Sequence, residues 1–141
     1  MRGENKITAF LAERRNAIVA GTRADGRPHA TPNWFDWDGA RFYVSTTRDR
    51  VKYRLFVRDP RAEFLIDDST GFRYILTNGT VEVREDLAAE LPHFRAIRVK
   101  YGRDVPASDD ELLASLQAEQ RVMLVYTPDR PIGEWTARGF D

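Results

Sequence analysis

The residues best placed to do chemistry form one short run, Ser45-Thr46-Thr47-Arg48-Asp49-Arg50-Val51-Lys52. Three hydroxyl side chains lead into three cations, where a strand pattern gives way to a helical one. The first backbone N–H groups of a helix have no intrahelical acceptor. Cations at that end oppose the helix macrodipole by roughly 0.3–1 kcal/mol each. A phosphate answers both problems, because it accepts the free N–H groups and neutralises the cations. Arg50 would grip such an anion through its planar fork, and Lys52 as a point charge. The competing reading is a solvated basic turn whose side chains point away. Spacing alone leaves both open.

A second stretch, Pro32-Asn33-Trp34-Phe35-Asp36-Trp37, carries the residue types that flank a planar ring. Trp34 and Trp37 are three apart, so on one strand they point to opposite faces. At least one of them then belongs to the core or its rim. Pro32 withholds a ladder donor, which puts its strand locally at an edge or a bulge. Backbone groups left unpaired there suit the polar edge of a heterocycle.

The remaining candidates are weaker. His29 and His93 have no carboxylate at metal-ligand spacing, so no metal site is expected. Asp67-Asp68 precedes Ser69, Thr70 and Gly71 and reads as a solvated turn. Ser45 and the threonines lack a histidine at the spacing of a hydrolase motif. Arg95, Arg98, Lys100 and Arg103 make a basic helix face, but Asp104, Asp109, Asp110 and Glu111 follow closely, and the face reads as solvated surface. No side chain stands out as a general acid or base.

The elements that must position these residues follow from periodicity and turn chemistry. Ile7, Phe10 and Leu11 form a short helical stripe. Asn16–Arg23, His29–Trp37 and Arg41–Thr46 read as a three-stranded meander with turns at Asp25-Gly26 and Asp38-Gly39. Asp49 is placed to cap a helix with Val51, Leu55 and Phe56 inward, which Asp59-Pro60 stops. Ala62–Asp67 and Phe72–Arg84 are further strands. Asn78-Gly79 inside the second reads either as a hairpin turn or as a close backbone approach within one strand. Pro92 is tolerated only near a first turn, which starts the next helix just before it, ahead of Phe94, Ile97 and Tyr101. Ser108 with Glu111 makes a capping box. Arg121–Thr127 is an apolar strand, and Ile132–Trp135 a last short one. About seven short strands with few helices predict a mainly β (α+β) fold, an antiparallel barrel with helical insertions. No Gly-x-Gly-x-x-Gly follows a strand, so a dinucleotide fold is unsupported.

Bulk properties narrow the function classes. The 141 residues suit one domain spanning 1–141. A hydrophobic fraction of 42% excludes a disordered chain. The absence of cysteine excludes disulfides, zinc–thiolate sites and cysteine nucleophiles. Lys and Arg balance Asp and Glu at 22 each, which gives no general pull toward nucleic acid. A small barrel with surface aromatics can still bind single strands. No signal-peptide pattern or membrane-length apolar run is seen, and a cytoplasmic protein is expected.

The run DGRPHATPNWFDWDGARFYVSTTRDRVKYRLFVRDPRAEFLIDD resembles the pyridoxamine 5'-phosphate oxidase-like superfamily, and more closely its F420-dependent branch. Asp25-Gly26-Arg27-Pro28, Ser45-Thr46-Thr47, Arg50-x-Lys52 and Arg58-Asp59-Pro60-Arg61 carry the likeness, and GFRYILTNGTVEV and RVMLVYTPDRPIGEW extend it. The resemblance implies a split β-barrel, with the strand through Gly79 unbroken. It also implies a homodimer with two cofactor sites at the subunit interface. By position, Arg50 and Lys52 would hold the cofactor phosphate, and Ser45, Thr46 and Thr47 the phosphate or sugar-alcohol chain. Pro32, Asn33 and Trp34 would lie along the ring, with Tyr74 and Trp135 reaching in from the other subunit. The cofactor would be F420, with FMN as the alternative, and the activity an F420H2-dependent reduction of a small unsaturated or aromatic substrate. An FMN oxidoreductase or a non-catalytic cofactor-binding module are the alternatives. The chain ends Trp135-Thr136-Ala137-Arg138-Gly139-Phe140-Asp141 without a histidine, which departs from true pyridoxamine phosphate oxidases and speaks against vitamin B6 oxidation.

Overall fold

Gly79 settles how the longest strand runs. A Cβ built there would lie 2.3 Å from the Thr127 carbonyl oxygen and 2.8 Å from the Tyr126 ring. The neighbouring strand thus passes too close for any side chain, and the segment Tyr74–Arg84 crosses the sheet as one strand, not a hairpin. The computed structural model describes residues 2–141. Among them, eight strands form one sheet: β1 (Ala17–Thr22), β2 (Pro28–Asn33), β3 (Asp36–Trp37), β4 (Phe42–Thr47), β5 (Arg61–Asp67), β6 (Tyr74–Arg84), β7 (Arg121–Pro128) and β8 (Thr136–Arg138). The order is β2-β1-β5-β6-β7-β4-β3, with β8 added to β6, and every pairing is antiparallel.

The two ends of that order, β2 and β3, are separated in the chain only by Trp34 and Phe35. Such a link spans at most about 11 Å, so the edges must meet and the sheet curls onto itself. Closure is partial. β2 pairs only with β1, and β4 pairs with β7 and β3, which leaves a seam without a ladder between β2 and β4. This is the split antiparallel barrel that the strand count and the resemblance predict.

Helix α2 (Val51–Arg58) packs on β1, β4 and β6. Leu55 and Phe56 fill the space a side chain on Gly21 of β1 would occupy. The alternation of β4 sorts its side chains into two cores. Phe42 and Val44 join the barrel interior with Phe64, Ile66, Ile75 and Tyr126. Tyr43 faces outward beneath α3 (Leu87–Lys100) and α4 (Asp109–Ala118), with Phe94, Ile97, Leu112 and Leu116. Helix α1 (Arg2–Ala12) buries Ile7, Phe10 and Leu11 in the barrel core.

Several local expectations need correction. The meander is only a hairpin: β1 pairs β2, but β4 lies across the sheet beside β7. The expected strand His29–Trp37 breaks at Trp34–Phe35, because α3 supplies substitute partners for its backbone. The Phe35 N–H donates to the Tyr101 hydroxyl at 3.2 Å, and its carbonyl accepts from Lys100 Nζ at 3.0 Å. Asp49 does not cap α2. Its carboxylate accepts from the Thr47 hydroxyl, and Arg50 is the N-cap without a side-chain hydrogen bond. Helix α3 starts five residues before Pro92, since Asp86 caps it by accepting from the Ala89 N–H and the proline ring points to solvent. Ile132–Glu134 is a 3-10 turn, and the last strand follows it at Thr136–Arg138.

Candidate cofactor site

Lys52 occupies the first turn of α2, where the helix faces the inner side of β2. Its side chain is buried, with 8% of the residue exposed, and its ammonium donates to the Thr31 hydroxyl oxygen at 3.2 Å. No carboxylate pairs with it among the described residues. Burial first, and then the neighbouring Arg50 cation, push the Lys52 ammonium below its usual range. A buried unpaired charge is costly in a folded protein. Arg50 is exposed at the helix N-terminus, so two cations meet an uncapped end.

Thr31 ties this cluster to the ring-flanking stretch. Asn33 Nδ2 donates to the Thr31 hydroxyl at 3.2 Å and to the Thr31 carbonyl at 2.7 Å. Thr31 and Asn33 lie two residues apart on one strand face. One hydroxyl oxygen thus accepts from both Lys52 and Asn33, and its own hydrogen must point elsewhere.

Beside this chain lies a groove of 520 Å³ along the seam between β2 and β4. Pro32, Asn33, Trp34 and Ser45 line it together with Arg103 and Arg121. Trp34 stands at the elbow between β2 and β3, stacked on Tyr101 with ring centroids 4.8 Å apart and planes 8° apart. Arg121, opposite Thr47 in the ladder, donates to the Ser45 hydroxyl at 3.3 Å.

The structure thus gathers Pro32, Asn33, Trp34 and Ser45 in one groove and joins Lys52 to it through Thr31. The other expected residues stand apart. Thr46 is buried toward the barrel interior, and Thr47 is engaged by Asp49. Tyr74 opens β6 opposite Asp67 and Arg138. Trp135 packs in the core of its own chain, 5.2 Å from the Trp37 ring, with its indole N–H on the Arg130 carbonyl at 2.8 Å. Thr31 and Arg121 were missed by sequence reasoning. Thr31 was visible as the same-face neighbour of Asn33. Arg121 follows only from the β4–β7 register. Of the basic face expected as solvated surface, Arg103 is exposed and Arg98 half-buried, both lining the groove, whereas Lys100 turns inward onto the Leu11 and Phe35 carbonyls.

Among the described residues no helix is long and apolar enough to cross a membrane, and no cluster of metal-ligating side chains is present. The profile of the pyridoxamine 5'-phosphate oxidase family matches residues 4–130. The fold is shared with a conserved hypothetical protein from Mycobacterium tuberculosis, at TM-score 0.79 and 24% identity over 97% of this chain and 84% of that one. It is shared with a protein named F420 reductase, at TM-score 0.68 and 24% identity over 86% and 92% of the two chains. The heme storage protein HutZ from Vibrio cholerae is also similar, at TM-score 0.76 and 18% identity over 99% and 97%.

Proposed function

The chain belongs to the pyridoxamine 5'-phosphate oxidase family, and from that premise we propose that it is a reductase that binds a phosphate-bearing flavin-type cofactor, F420, along the β2–β4 seam. The observation that carries this reading is the buried Lys52 ammonium, which has no carboxylate partner among the described residues and sits beside Arg50 at an uncapped helix start. An incoming phosphate supplies the missing counter-charge and accepts the free N–H groups of α2.

The groove suits the rest of such a molecule. Asn33 presents an amide to the ring edge, Trp34 and Pro32 give apolar walls, and Ser45 offers a hydroxyl to the polar chain. The bound cofactor would supply hydride chemistry. The protein's part is to bind, orient and shield it. Thr31 holds Lys52 and Asn33 in register, so that the phosphate and ring contacts form together. The proton that completes a reduction comes from solvent, as among the described residues the acids lining the groove, Asp104 and Glu119, are exposed. We propose that the functional unit is a homodimer, with Tyr74 on the neighbouring subunit's approach to each site; Trp135, expected beside it, is held in its own barrel core.

FMN also carries a phosphate on its sugar-alcohol chain and has a similar tricycle, so the Lys52 argument serves it as well. Equilibrium binding of F420 and of FMN, followed by turnover with reduced F420, separates the two. F420 binding with reduction of an acceptor supports the proposal. Tight FMN binding without F420 affinity contradicts it, and firm cofactor binding without turnover across a broad acceptor panel points to a carrier.

A further inference from the structure

The corner formed by Trp34 and Arg103 is built more rigidly than a surface cation requires. Helix α3 ends in a Schellman motif. Gly102 takes φ +70°, its N–H donates to the Val99 carbonyl at 3.1 Å, and the Arg103 N–H donates to the Arg98 carbonyl at 2.9 Å. These bonds fix the backbone of Arg103. The last residue before the glycine is Tyr101, the ring on which Trp34 stacks. Tyr101 is itself held, accepting from the Phe35 N–H and donating to the Arg15 carbonyl. Arg103 and Trp34 are therefore set relative to one another by the same helix end. The guanidinium carbon stands 5.8 Å from the indole centroid, and Trp34 remains 41% exposed.

Charge in the groove is unbalanced. Glu119 engages both Arg121, at 2.8 Å, and Arg98, at 3.5 Å. Arg103 makes no ion pair among the described residues. The lining holds three arginines against Asp104 and Glu119, which leaves one positive charge uncompensated. A guanidinium fork matches a carboxylate bidentately, and an exposed indole beside it favours a flat unsaturated body. A dianion would overcompensate the groove, and a neutral ligand would leave the fork unused.

We propose that this corner is the acceptor site of the reductase, and that the compound reduced is a planar, unsaturated monocarboxylate whose carboxylate Arg103 holds at the Trp34 end of the cofactor groove. This rests on the cofactor reading above, but the corner is preformed, so acid binding is measurable on the protein alone.

The test titrates the cofactor-free protein with trans-cinnamate and with cinnamamide, following tryptophan fluorescence and heat. Wild type is expected to prefer the acid by about tenfold or more, as loss of a charge-assisted contact implies. Arg103→Gln is expected to lose that preference while binding the amide as wild type does, and Arg103→Lys to restore part of it. Trp34→Phe is expected to abolish the fluorescence response and weaken both ligands. Equal binding of acid and amide by wild type, binding of neither, or undiminished acid binding by Arg103→Gln overturns the proposal. The wild-type comparison needs no variant, so a folding defect cannot obscure the answer. Failure of the cofactor reading would appear separately, as absent F420 and FMN binding with acid binding intact.

Discussion

The Lys52 ammonium and the Asn33 side-chain amide donate to the same atom, the Thr31 hydroxyl oxygen, each at 3.2 Å. That shared acceptor links the start of α2 to the end of β2 across the open seam of the barrel. It makes the cation and the ring-facing amide one unit. The consequences of that link are measurable.

Thr31→Val keeps the branched shape and strand preference but removes the acceptor. The fold should persist. Lys52 and Asn33 should lose their common register, and cofactor affinity should fall by about 1–3 kcal/mol. Equilibrium titration checks this. An affinity equal to wild type would show that Thr31 does not position the site.

Lys52→Met removes a buried cation that the apo protein leaves unpaired. Replacing such a charge by an apolar group of similar length is often neutral or stabilising. The thermal midpoint of the cofactor-free variant should therefore match or exceed that of wild type, while cofactor affinity falls by about tenfold or more. A midpoint well below wild type would mean that the ammonium is structural.

Lys100 predicts a pH signature in stability. Its ammonium donates to the Leu11 and Phe35 carbonyls. Burial pushes its pKa from 10.5 down to about 8, with the Asp36 carboxylate opposing. Between pH 8 and 10.5 the unfolded chain therefore binds more protons than the native one at this site, and the stability contribution rises with pH. Below pH 8 the burial penalty is fully present. Denaturant melts of wild type and Lys100→Met across this range should show wild type gaining on the variant as pH increases. A flat difference would contradict the assignment.

Gly79→Ala tests the barrel itself. The added methyl would meet a backbone oxygen at 2.3 Å, which no rotamer change relieves. The variant should lose about 2–4 kcal/mol, the range of severe core overpacking, or fail to fold. A loss below about 0.5 kcal/mol, as at ordinary surface sites, would mean that β6 and β7 do not approach so closely.

Much of this was legible in the chain, for identifiable reasons. Phe42 and Val44 alternate with Tyr43 and Ser45, and β4 sorts them to opposite faces as a strand must. Pro32 announced an edge, and β2 is one. The capping box at Ser108 opens α4, with the serine side chain accepting from the Glu111 N–H. What failed was whatever depended on distant partners. The break at Trp34–Phe35 is fixed by Lys100 and Tyr101, residues more than sixty positions away. Asp49 had a cap-like position but found Thr47 nearer. Pro92 resembles a helix start because it lacks an N–H, but the Asp86 cap opens the helix five residues earlier. In the site, the cationic run was visible as residue types, but which cation would be buried was not. Of the basic face expected in solvent, Arg103 is exposed, but Lys100 turns inward onto the Leu11 and Phe35 carbonyls, partners no local pattern announces.

The pH dependence of binding separates a buried from an exposed phosphate ligand. Lys52 titrates below the usual lysine range when the site is free, and a bound phosphate favours its charged form. Affinity should fall as pH rises through that lowered value, and Lys52→Arg should shift the fall to higher pH. An identical profile for both proteins would place the phosphate elsewhere.

The most direct measurement pairs each cofactor with its dephosphorylated form, FMN with riboflavin and F420 with its bare deazaflavin chromophore, on wild type and Lys52→Ala. Wild type is expected to prefer the phosphorylated partner by about tenfold or more, the equivalent of 1.5–3 kcal/mol for a charge-assisted contact, and the variant to lose that preference while still binding the ring. A preference for phosphate of the same size in both proteins would contradict the account.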